Sequence, residues 1–210
     1  MNSAPGANPS AMHTDVCIAL NASPEQMARL LSLQKAFAQV CNALAPIVQR
    51  NRCWNRVTLH HLAYRELRER FPAIGSQMVC NAIYSVSRTS RQVFQHPASP
   101  FNIARWGDRK LPLLNFTPTA PVYFDRHTLS VKNHKLSMYT LDGRMHFSLA
   151  LHPEAETAFL EKKLREIVLS RNADDRFELT FSFSEPDDEV EAMPAAAGIL
   201  PEYVMVEAVQ

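Results

Sequence analysis

The sequence predicts an α+β protein in which a β-barrel-like domain is interrupted by an inserted three-helix bundle and followed by an acidic C-terminal tail. Three observations lead there. Apolar residues recur at threes and fours over residues 23–96, they alternate among frequent prolines over 97–184, and the charge changes sign along the chain. Residues 1–151 hold 17 Lys+Arg against 7 Asp+Glu, a balance of +10; residues 152–210 hold 5 against 14, a balance of −9. A basic body of this kind suits a polyanionic partner. With 210 residues, 46% of them hydrophobic, the chain can bury a sizeable core. It has no run of 18 apolar residues, and residues 1–16 lack the charged and apolar regions of an export signal, so the expectation is a cytoplasmic protein with no membrane partner.

Residues 1–15, rich in Ser, Ala, Pro and Asn, read as a disordered lead. Val16, Ile18 and Leu20 then mark a short strand, and residues 16–22 with 97–184 make up the β domain. Ser23-Pro24-Glu25-Gln26 supplies an N-cap, a proline at the first helical position and a capping-box glutamine. The helix that follows buries Met27, Leu30, Leu31, Phe37, Cys41, Leu44 and Val48, with a kink or break expected near Pro46. Thr58 is expected to cap a second helix with Leu59, Leu62, Ala63 and Leu67 inward, and Ser76 a third with Val79, Ala82, Ile83 and Val86 inward. These three helices form the insertion, 23–96.

Strands are expected at 111–116, 122–124, 128–131, 135–141 and 144–151, forming a β-meander with a type I′ turn at Asp142-Gly143. Residues 154–170 return to helical spacing, 176–184 alternate as a strand, and 185–210 read as the acidic tail, with at best a loose strand over 199–209. The four cysteines form no metal-spaced pair and read as buried thiols.

No GxGxxG, P-loop, GxSxG or HExxH motif occurs, and turn chemistry accounts for Asp125 and Asp142. His60-His61, His127, His134 and His146 lack ligand spacing. No catalytic residue, cofactor or metal is therefore expected. Binding residues are easier to nominate. Arg50, Arg52 and Arg56 surround Trp54, and Arg105-Trp106 with Arg109-Lys110 repeats the mixture of guanidinium groups and an aromatic plane that grips phosphate and base. Arg88 and Arg91 lie late in the third helix, while Arg126, Lys132, Lys135 and Arg144 decorate the meander beside Tyr139. All fifteen are candidate nucleic-acid contacts.

Phe71-Pro72-Ala73-Ile74-Gly75-Ser76-Gln77, followed by Asn81-Ala82-Ile83 and Val86, resembles the short recognition-lobe helices of TnpB, the transposon-encoded RNA-guided nuclease, and of its type V CRISPR relatives. Val122-Tyr123-Phe124-Asp125-Arg126-His127-Thr128-Leu129-Ser130, then Leu136-Ser137-Met138-Tyr139-Thr140-Leu141-Asp142-Gly143-Arg144, resembles that family's wedge-domain strands. Pro24-Glu25-Gln26 leading to Asn42 is similar to its first helix. The resemblance covers residues 16–184 and implies a wedge domain with a recognition insertion that binds structured or guide RNA, with DNA or an RNA–DNA heteroduplex as a further partner. In the family a RuvC nuclease domain follows, opening on a Gly-Ile-Asp motif. Here Gly198-Ile199 is followed by Leu200, so the expectation is a nuclease-deficient, RNA-binding, transposon-associated protein, not itself an enzyme, acting alone or beside a separate RuvC-bearing subunit. The alternative is a protein-interaction module or inhibitor whose acidic tail imitates nucleic acid.

Overall fold

A computed structural model describes residues 14–184 and 200–207. The expected lead therefore lies largely outside the described residues, as does the acidic stretch 185–199. Thr14 and Asp15 instead open strand β1 (Thr14–Ala19). Helix α1 (Pro24–Asn51) begins at the predicted box: Ser23 accepts from the Gln26 backbone while the Gln26 side chain accepts from Ser23 N–H. It runs through Pro46 without the expected break. Helix α2 (Arg56–Arg70) is capped not by Thr58 but by Asn55, whose side chain accepts from Thr58 N–H. Its inward stripe is Leu59, Ala63 and Leu67; Leu62, expected among them, is 48% exposed. Helix α3 (Ser76–Gln95) starts at Ser76, after Gly75 in the cap position. These three helices pack on one another and share a continuous apolar core with the strands. No described helix is long and apolar enough to cross a membrane.

After a single turn, α4 (Ile103–Trp106), come β2 (Leu113–Phe116), β3 (Val122–Phe124), β4 (Leu129–Lys132), β5 (Lys135–Thr140) and β6 (Gly143–Ser148). The expected helix over 154–170 is a correction. Only α5 (Pro153–Glu161) is helical; β7 (Lys163–Arg171) takes the rest and pairs antiparallel with β8 (Phe177–Ser184). The spacing of Leu160, Leu164, Ile167 and Val168 suits either geometry, and the cross-strand partners decide. Leu160 consequently stands 85% exposed. A second correction concerns 200–207, expected to belong to the tail: β9 (Val204–Glu207) pairs with β2 and buries Val204.

The strands form three separate antiparallel sheets, β1-β8-β7-β3, β2-β9 and β4-β5-β6, which do not close into the barrel expected from sequence. Only β4-β5-β6 is a meander; β2 and β3 find partners distant in sequence. β1, which precedes the three helices in the chain, pairs with β8, which follows them. The tight turns also differ. At the Asp142-Gly143 hairpin only Gly143 has positive φ (103°), which excludes type I′, whereas Asn133 (48°) and His134 (59°) both adopt it between β4 and β5.

Candidate nucleic-acid interface

The predicted binding residues separate into three places. At the C-terminal end of α1, Arg52 takes the left-handed conformation (φ 48°) that ends the helix and turns back. Its guanidinium donates to the carbonyls of Arg109 at 2.7 Å and Gly107 at 2.6 Å, bringing together the two Arg/Trp clusters that the sequence keeps about 50 residues apart. Arg109 lies 4.2 Å over the Trp106 ring, and the indole N–H donates to the Lys110 carbonyl. Arg105 donates to the carbonyls of Pro97 and Ser99. Arg52 and Arg105 therefore hold this loop in shape, while Arg50 and Lys110 stay exposed. Trp54 is a correction. It is 8% exposed, its ring 5.4 Å from Phe94 and its carbonyl accepting from Ser87, so it belongs to the core and offers no stacking surface.

The second place is the outer face of β4-β5-β6. The register puts Ser130, Ser137 and His146 in one row, Lys132, Lys135 and Ser148 in the next, and Tyr139 opposite Arg144. Leu136, Met138, Met145 and Phe147 fill the other face, which is buried. Tyr139 is 41% exposed, and the Arg144 guanidinium lies over its ring at 4.1 Å while donating to Ser137 Oγ and to the His127 carbonyl. Arg126, exposed beside His127, extends the face. At its rim Asp142 is held by Arg29 at 2.8 Å; hydrogen bonds from Thr140 and Arg29 lower its pKa below the ordinary value. Lys132, Lys135, Tyr139 and Arg144 thus share one face, the row of Ser130, Ser137 and His146 lying between the lysines and the Tyr139–Arg144 pair. His146 and Ser137 join them as residues that charge reading missed and strand alternation could have found.

These two places lie at opposite ends of α1. Near its start Gln26 and Arg29 hold the β5-β6 hairpin, and near its end Gln49 holds the Leu111 carbonyl. At 1.5 Å per residue the 28-residue helix spans about 42 Å.

Arg88 is the other correction, since it faces a partly enclosed polar cluster. It pairs with Glu166 at 3.3 Å, and Glu166 also accepts from the Tyr84 hydroxyl at 2.8 Å. Burial opposes the Arg88 charge, but Tyr123, Glu166 and Tyr84 outweigh it and raise the pKa. Tyr123 is driven well above the usual tyrosine range, first by burial and then by Tyr203 and Glu166. Arg56 lies 5.3 Å over the Tyr84 ring, and Arg91 is half-buried on α3. The cluster borders a cleft of ≈ 690 Å³ that also includes Asp15, Arg171 and Glu202. Among the described residues no group of three or more His, Cys, Asp or Glu could hold a metal ion. Of the thiols expected to be buried, Cys41 is; Cys17 is exposed, and Cys53 and Cys80 are half-buried.

No protein-family model matches the chain, and no curated protein is significantly similar to it.

Proposed function

We propose that the chain binds structured RNA through the outer face of β4-β5-β6, in the manner of a TnpB-like wedge domain that does no cutting of its own. The observation that carries the reading is one sheet face with Lys132 and Lys135 toward one end and the exposed ring of Tyr139 with Arg144 toward the other, the nearby carboxylate of Asp142 being already taken by Arg29. Lysine and arginine neutralise phosphates, and the tyrosine edge with its stacked guanidinium supplies a plane for an unpaired base. The reading of TnpB-like descent draws on the part played by the motif residues: Gln26, Asn42, Gln77, Asn81, Asp125, Thr128 and Asp142 are among those whose side chains tie the helices to the strands and their turns.

The test is binding of a labelled RNA hairpin by fluorescence anisotropy between about 50 and 200 mM salt. Replacing Lys132, Lys135 and Arg144 together by alanine should weaken binding and reduce the log–log salt slope by about one for each phosphate no longer neutralised. Unchanged affinity and slope in the folded triple variant would exclude this face. Sequencing of co-purified nucleic acid would show whether the partner is a guide-type RNA or a heteroduplex.

A further inference from the structure

The four-stranded sheet β1-β8-β7-β3 turns a polar face outward. Its strands alternate, so that Phe181, Leu179, Ile167 and Leu169 are buried while Ser182, Thr180, Glu166, Val168 and Ser170 form the opposite row. This row is the floor of the cleft of ≈ 690 Å³, with Arg88 of α3 and the chain at Glu202-Tyr203 along its sides. From Glu166 to Ser170 the floor runs about 13 Å along β7, at 3.3 Å per residue. Of the side chains lining it, only Pro121 and Val168 are hydrocarbon alone, too few for an apolar ligand.

The charges in this trough do not cancel. Arg88 is paired with Glu166, and Arg171 with Asp175 at 2.6 Å. The two remaining carboxylates, Asp15 and Glu202, are exposed, and among the described residues neither meets a cation or a hydrogen-bond donor. They stand at opposite ends. Asp15 shares a cross-strand row with Ser182 and Glu166. Glu202 precedes Tyr203, whose carbonyl accepts from Thr117 N–H, so it lies toward the segment that leads through Pro121 into β3, where Val122 pairs with Leu169. The row of Val168 and Tyr123 lies between them. Carboxylates placed at the two ends of a trough cannot share one metal ion, and the excess negative charge repels phosphate.

We propose that the trough binds a linear polyamine, with one terminal ammonium group at Asp15, the other at Glu202, the methylene chain over Val168 and an inner amine donating to the floor hydroxyls. An elongated cation with charges at both ends and hydrocarbon between them matches the order of groups along the floor. The site lies on a different sheet from the proposed RNA face and does not depend on it.

The probe is spermidine, titrated calorimetrically into the full-length chain after removal of nucleic acid. One site per chain is expected, with butane-1,4-diamine, which reaches one end only, binding about fivefold more weakly, and the Val168 methyl resonances should shift on binding. Asp15→Asn and Glu202→Gln should each weaken spermidine about fivefold, as loss of one exposed ion pair allows, while Glu154→Gln on α5 should change nothing. Ser182→Lys places a rival ammonium group beside Asp15 and should abolish binding. Displacement by an equal concentration of Mg²⁺, an equal loss in Glu154→Gln, or unchanged affinity in a folded Asp15→Asn/Glu202→Gln protein would reduce the effect to general screening and overturn the proposal.

Discussion

Gln77 Nε2 donates to Asp125 Oδ2 at 2.5 Å, joining the start of α3 to the turn that leads into β4. One helical turn on, Asn81 donates to Thr128 in the same turn at 3.3 Å. The other Asp125 oxygen accepts from the backbone of His127 and Thr128 and from the Thr128 hydroxyl. The start of α3 and the turn between β3 and β4, about 50 residues apart in the chain, meet at this point.

Asp125→Ala should therefore lower stability by about 2 kcal/mol, since it leaves two backbone donors and the Gln77 amide without their acceptor. Asp125→Asn keeps the oxygen that serves the turn and should lose less. Urea unfolding followed by circular dichroism measures both; equal stability of all three proteins would reduce the network to a surface contact.

Trp54→Ala should cost about 3–5 kcal/mol by opening a cavity against Phe94. Trp54→Phe should restore most of that and leave RNA affinity at the wild-type value. A folded Trp54→Phe protein that lost RNA binding would return this ring to the interface.

Raising the pH should unfold the chain. Burial pushes Cys41 up to about 12 from an ordinary value of 9.0 and holds Tyr123 and Tyr203 above the usual tyrosine value, so the unfolded chain ionises first. The stability these groups contribute is complete below about pH 9 and declines as pH rises through their folded values. Tyrosinate absorbance should include a late stage that coincides with loss of helical circular dichroism, and Tyr123→Phe should shrink it. A late stage that precedes any loss of structure would contradict the assignment.

Thiol chemistry should follow exposure. Cys17 on the outer face of β1 should react rapidly with a disulfide reagent at neutral pH, whereas Cys41, buried and held protonated, should react only on unfolding. Mass spectrometry of partially labelled protein would locate the modified residue, and early labelling of Cys41 would mean that α1 opens readily.

What the sequence made legible was local. Ser23 and Gln26 satisfy one another within a single turn, and Leu136, Met138, Met145 and Phe147 declare a buried sheet face by alternation alone. What it concealed depends on partners distant in the chain. Trp54 looks like part of a basic aromatic motif until Phe94 covers it, and Arg88 looks like a surface charge until β7 brings Glu166 to it. The register of β7 with β8 overrode an ambiguous periodicity, and Asn133-His134 forms a turn for which no glycine advertises the need. The site was legible as a collection of residues and only partly as a surface, because assigning each side chain to a face requires the strand pairing.

Cys17 and Thr180, neighbours across the β1-β8 pair, are 163 residues apart in sequence. On a ribosome adding about 5–20 residues per second, the first strand would wait on the order of 10–30 s for the second to be made. During that interval α1, α2 and α3 can already associate through their own apolar stripes, while β1 remains without its β8 partner. Vectorial synthesis therefore leaves the largest sheet incomplete until β8 is made, and only the β2-β9 pair closes later. Slow codons or a pause after residue 96 would prolong the vulnerable period without altering any interaction in the finished protein, so expression yield should respond to translation speed and to chaperones that hold extended apolar segments.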